Sequence, residues 1–118
     1  MSKTIFEKYG GFATFRKIVS SFYDHMLDSD VVSKYFAGLD MERMIDHQTK
    51  FVIYIAGGPA SVSDERLARA HKDLGITKDE LEVMCNIFRD NLEDHDIADE
   101  DVEFLANELM KRSHLIVF

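Results

Sequence analysis

One proline and six glycines in 118 residues leave this chain few places to turn. Between them the apolar residues recur every three or four positions instead of alternating. That spacing predicts an all-helical chain, because on a strand such a pattern would scatter apolar side chains over both faces. The breakers fall at Gly10–Gly11, Gly38, Gly57–Gly58–Pro59 and Gly75, and they divide the chain into helix-sized pieces. There are no repeats and no low-complexity linkers, so 1–118 reads as one domain.

Within those pieces the stripes are explicit. From Phe12 to Leu27, residues Phe15, Ile18, Val19, Phe22 and Met26 share a face, and Tyr23 borders it. The segment VVSKYF leads through a short turn or helix to Phe36 and Gly38. Asp40 then caps a helix over roughly 40–56 that lines up Met44, His47, Gln48, Phe51, Val52 and Ile55. Ser63 caps a shorter helix whose inward face is Leu67, Ala70, His71 and Leu74, closed by Gly75. Thr77 and Glu80 form a capping box for a helix striped with Leu81, Met84, Cys85, Phe88 and Leu92. Val102, Leu105, Ala106, Leu109 and Met110 define a last helix that reaches the region of His114.

Hydrophobic residues make up 46% and charged residues 31%, the balance of a globular protein rather than a disordered one. The net charge of -8 and the lack of any basic block argue against nucleic acid or a membrane surface as partners. The lone cysteine, Cys85, forms no internal disulfide, and the first residues lack a secretory apolar stretch. A monomer in a reducing cytoplasm is the expectation.

Two histidines, His71 and His47, lie on apolar stripes. A buried histidine is hydrogen-bonded, metal-bound or costly, and the residues alone leave open a core imidazole bonded to a backbone carbonyl. Zinc fits poorly, since no CxxC and no closely spaced histidine pair is present. A di-iron bundle would need Glu-x-x-His pairs, and none occurs. Haem asks for one imidazole, a large apolar slot and a few polar groups on the other side. Phe36, Phe51, Val52, Leu81, Met84 and Phe88 can supply the walls, although the same residues also read as ordinary core.

Six motifs carry a resemblance: YGG at 9–11, FY at 22–23, YFAG at 35–38, the HQ of HQTKF at 47–48, IAGGP at 55–59 and AHKDLGIT at 70–77. In order and spacing the chain resembles a group I truncated haemoglobin, the two-over-two helical globin, from Ile5 to about Ile116. The resemblance implies haem b as cofactor, His71 as the proximal iron ligand and Phe36 as the aromatic packed on the porphyrin. It makes Tyr23 and Gln48 the distal hydrogen-bonding pair, and both can donate to a polar gas.

The resemblance is nearest to the cyanobacterial branch, which implies that His47 can itself bind iron and that His114 can bond covalently to a haem vinyl group. Met44 departs from the pattern, standing where relatives often carry Gln or Leu. It removes one hydrogen bond and leaves that work to Tyr23 and Gln48. Arg43 is expected to point outward, toward a haem propionate or solvent. His25 and His95 read as exposed and without a role.

The resemblance thus implies a haem protein that binds oxygen, nitric oxide and carbon monoxide. Nitric oxide dioxygenase activity would need an external reductase as electron donor, so enzyme status stays open. A bis-histidine electron-transfer or sensing module is the alternative, and the ligation of His47 discriminates. A globin-like domain without haem is disfavoured by His71 on the correct face.

Overall fold

The computed structural model describes residues 3–118, and every element among them is helical. The helices are α1 (Ile5–Lys8), α2 (Phe12–Leu27), α3 (Met41–Ile55), α4 (Asp64–His71), α5 (Lys78–Asp94) and α6 (Asp99–Met110). Two short 3-10 turns, Ser33–Phe36 and Ser113–Leu115, complete the set. The capping residues act as their sequence predicts. The side chains of Asp40, Ser63 and Thr77 accept from the backbone N–H of Arg43, Arg66 and Glu80, and Glu80 returns the bond to Thr77.

Helix α2 packs against both α3 and α5, while α6 packs against α5 and α3. The four long helices therefore close into the two-over-two sandwich expected from the sequence. Their shared interior holds Phe15, Ile18, Leu92 and Leu105, all without solvent contact. Such fully buried side chains stabilise by roughly 1.5–3 kcal/mol each. Asn91 is a polar side chain buried within this core. The Asn91 amide donates to the Ile18 carbonyl at 2.8 Å and accepts from Ser21 Oγ at 2.8 Å, fixing α5 against α2 with both the nitrogen and the oxygen of the amide bonded.

Helix α1, which the apolar pattern does not announce, is held to the end of α3 and to α6. Phe6 N–H donates to the Ala56 carbonyl, and Tyr9 Oη donates to Asp101 Oδ2 at 2.6 Å beside Lys8. The Gly57–Gly58 pair makes the first contact possible. Gly57 has φ +84°, and a Cβ on Gly58 would lie 2.7 Å from the Phe6 ring and 2.5 Å from Ile53 Cγ2.

Three expectations shift. The last helix ends at Met110, and His114 lies beyond it on the second 3-10 turn. Helix α4 ends at His71, so Leu74 falls in the following turn and is exposed instead of inward. His95 is half-buried at the end of α5, not exposed.

Candidate functional site

Helix α4 places His71 one turn after Leu67, and that spacing determines the chemistry of its ring. Nδ1 lies 2.7 Å from the Leu67 carbonyl oxygen. A carbonyl can only accept, so Nδ1 carries a proton, and in the neutral form of the ring the lone pair lies on Nε2. The half-buried ring lines a cleft of about 400 Å³ between α3 and α4. Bonding to a backbone carbonyl thus leaves the other ring nitrogen of His71 unused by that contact.

Opposite α4, helix α3 contributes Met44, His47, Gln48 and Phe51 to this cleft. They sit at i, i+3, i+4 and i+7, one face of α3. His47 is exposed and Gln48 half-buried. Tyr23 is more enclosed, with 5% exposure. Its ring stands edge-on to Phe22, at 5.2 Å between centroids, and to Phe36, at 5.4 Å. Burial raises its pKa far above that of a free phenol, so Tyr23 stays protonated as a donor. Its hydroxyl bonds no protein group among the described residues.

The remaining expected wall residues divide. Val52, Leu81, Met84 and Phe88 are buried in the core and do not line the cleft, and neither do Tyr23 and Phe36. Arg43 is exposed and does not line the cleft. His114 is exposed on the turn that packs against α4. The sequence reading missed the basic rim, made of Lys50, Arg66 and Arg69, the Lys and Arg residues that line the cleft among the described residues, where no Asp or Glu lines it. The signal was present in the spacing, since Arg66 and Arg69 sit five and two residues before His71 in an acidic chain. Arg112 was also missed, and its guanidinium lies over the rings of Phe51 and Tyr54 at 6.0 and 5.6 Å.

The bacterial-like globin family model matches residues 4–117. The chain belongs to that family. Among relatives, this globin is 34% identical over 71 residues to the group 1 truncated hemoglobin GlbN of Synechocystis, covering 60% of this chain and 57% of that protein. It is 31% identical over 74 residues to the group 1 truncated hemoglobin of Tetrahymena pyriformis, covering 63% and 61%. Each match thus spans about three fifths of the curated relative. The crystal structure of the 2/2 hemoglobin from Synechococcus sp. PCC 7002, in the cyanomet state with covalently attached heme, superposes with a TM-score of 0.90 at 21% identity. That superposition covers 98% of both chains.

Haem is the cofactor a globin implies, and the residues present fit it. His71 offers one unprotonated nitrogen on one side of a cleft within the size range of small-ligand sites. Met44, Phe51, Val62 and Leu67 give that cleft apolar walls, and the far side carries imidazole and amide groups. Among the described residues no three His, Cys, Asp or Glu side chains gather as a site of protein ligands alone would need. One imidazole is all that porphyrin-held iron asks of the chain.

Proposed function

We propose that this globin uses haem b to bind diatomic gases, oxygen foremost, with His71 as the iron ligand and Tyr23 and Gln48 as donors on the other side. The hydrogen bond from His71 Nδ1 to the Leu67 carbonyl carries the reading. It fixes the tautomer, orients the ring and increases the basicity of the nitrogen left for the metal. When bound, haem supplies an iron whose open side accepts a gas. Tyr23, kept protonated by burial, and Gln48 then hold a polar gas by hydrogen bonds that a less polar one barely uses. Lys50, Arg66 and Arg69 provide cations for the carboxylates of the porphyrin edge. Oxidation of nitric oxide to nitrate by dioxygen, which takes up both oxygen atoms and one electron from an external reductase, extends the same reading.

A second reading, in which His47 ligates the iron when no gas is present, is favoured by one observation: both imidazoles line the same cleft. His114 has related support. The Synechococcus hemoglobin has covalently attached heme, and here His114 sits on the turn packed against the helix of His71. Optical spectra of the purified protein in ferric, ferrous and carbon monoxide forms test the first two readings together. A Soret band that shifts on carbon monoxide addition is expected, and its absence refutes haem binding. A six-coordinate low-spin ferric spectrum supports His47 ligation, while a high-spin one refutes it. Haem that stays with the polypeptide after acid–organic extraction supports the His114 bond, and free haem in the extract refutes it.

A further inference from the structure

Thr77 and Glu80 read in the sequence as a helix cap, and Lys34 and Tyr35 carry no role there. In the structure all four meet at one carboxylate. Tyr35 Oη donates to Glu80 Oε1 at 2.5 Å, the Thr77 backbone N–H donates to the same oxygen at 2.9 Å, and Lys34 Nζ donates to Oε2 at 2.7 Å. Glu80 is only 8% exposed. A cap alone needs one bond back to Thr77, so the two donors from the 33–36 turn are additional to that task.

What lies beside this cluster gives it a purpose. Tyr35 precedes Phe36, whose ring meets Tyr23 edge-on with the planes at 86°. The other neighbour of Tyr23, Phe22, is itself packed edge-on against Phe88 of α5. Tyr23 is thus placed by two aromatic contacts. One runs through Phe22 and Phe88 to the middle of α5, and the other runs through Phe36 and its turn to the start of α5. Since the Tyr23 hydroxyl bonds no protein group among the described residues, ring packing alone determines where it points.

We infer that Tyr35 and Glu80 are positioning residues for Tyr23: by anchoring the 33–36 turn to α5 they hold Phe36 against the Tyr23 ring and so aim its hydroxyl at a polar gas. This rests on the reading of Tyr23 as the distal donor. Removing the Tyr35 hydroxyl lets Phe36 shift, and the Tyr23 ring gains freedom at the point where direction matters to a hydrogen bond. A staple that only held the fold together would instead affect stability and haem retention, with no preference among gases.

The test compares Tyr35→Phe, Tyr23→Phe and the double variant as haem-loaded proteins, and Glu80→Gln serves as a second way to loosen the anchor. Oxygen and carbon monoxide off-rates, the C–O stretching band of the carbon monoxide form and haem transfer to an apoglobin acceptor are measured. Tyr35→Phe is expected to raise the oxygen off-rate about three- to tenfold, a fraction of the Tyr23 hydrogen bond, and to broaden the C–O band while changing the carbon monoxide off-rate less than about twofold. In the Tyr23→Phe background the same change should leave the oxygen off-rate unaltered. Equal effects on both gases, or faster haem transfer with unchanged oxygen release, overturn the inference. If Tyr23→Phe itself leaves oxygen release unchanged, the distal reading fails first. If Tyr23→Phe acts and neither Tyr35→Phe nor Glu80→Gln does, only the positioning role fails.

Discussion

Replacing Tyr23 by phenylalanine should move stability and gas binding in opposite directions. The side chain is 5% exposed, its ring is held by Phe22 and Phe36, and its hydroxyl has no protein partner among the described residues. Phenylalanine keeps both ring contacts and removes only the oxygen. An unpaired hydroxyl shut away from water costs roughly 1–3 kcal/mol in proteins, and the lower end applies because the Tyr23 hydroxyl is not among the fully buried side-chain atoms left without a partner. A gain of about 1 kcal/mol corresponds to a rise of ~4 °C in Tm for a chain of this length.

The same oxygen atom is the donor proposed to hold a polar gas. Its loss should raise the oxygen off-rate about tenfold, for a hydrogen bond of ~1.5 kcal/mol, and change carbon monoxide release much less. Thermal unfolding of the haem-free protein and stopped-flow displacement of each gas from the haem-loaded protein measure the two halves. A lower Tm in Tyr23→Phe would mean that the hydroxyl is satisfied inside the resting protein. Equal acceleration of both gases would mean that Tyr23 guards access and donates nothing.

Further perturbations separate the other parts of the site. His71→Ala should yield mostly apoprotein and recover haem with added imidazole; an unchanged spectrum would refute His71 as the ligand. If His47 ligates iron in the resting state, His47→Leu should convert a low-spin ferric spectrum to high-spin and remove a limiting rate in carbon monoxide binding, as rapid mixing would show. Lys34, with help from Tyr35 and the Thr77 backbone, lowers the pKa of Glu80 to about 2 from 4.5. The depressed folded value means that its contribution is complete above pH 4.5 and is lost as pH falls toward 2. Urea unfolding of wild type should therefore weaken more steeply across that window than that of Glu80→Gln. Asn91→Ala should destabilise by roughly 2–4 kcal/mol, since it removes two buried hydrogen bonds and leaves a cavity, and calorimetry checks it.

Much of the fold was legible because its signals are local. Asp40, Ser63 and the Thr77–Glu80 pair cap the helices they were expected to cap, the stripes of α2 and α5 face the core, and that of α3 passes from the cleft at Met44, His47 and Gln48 to the core at Val52 and Ile55. Helix α1 escaped because four residues carry no periodicity, and its position depends on distant partners: Tyr9 with Asp101, and Phe6 against Gly58. Leu74 was misread for a related reason. Apolar spacing continues past His71, but the backbone leaves the helix there, and spacing cannot report where a short helix stops when its face borders an open cleft.

The site was legible to the extent that helical geometry alone builds it. Met44, His47, Gln48 and Phe51 reach one cleft because α3 is straight enough to keep i, i+3, i+4 and i+7 on one side. The His71 to Leu67 bond is likewise an i to i−4 contact, and it could have been drawn from the sequence once α4 was assigned. The aiming of Tyr23 could not. It depends on Phe36 and Glu80, residues 13 and 57 positions away, brought together by a turn whose sequence, SKYF, shows no sign of its partner. The proposed gas binding is therefore written in two registers. Local spacing sets which groups face the cleft, and long-range packing on the start of α5 sets how accurately the buried Tyr23 points. Substitutions that preserve every helical stripe can still alter gas discrimination, and those at Lys34, Tyr35 and Glu80 are where that should be seen.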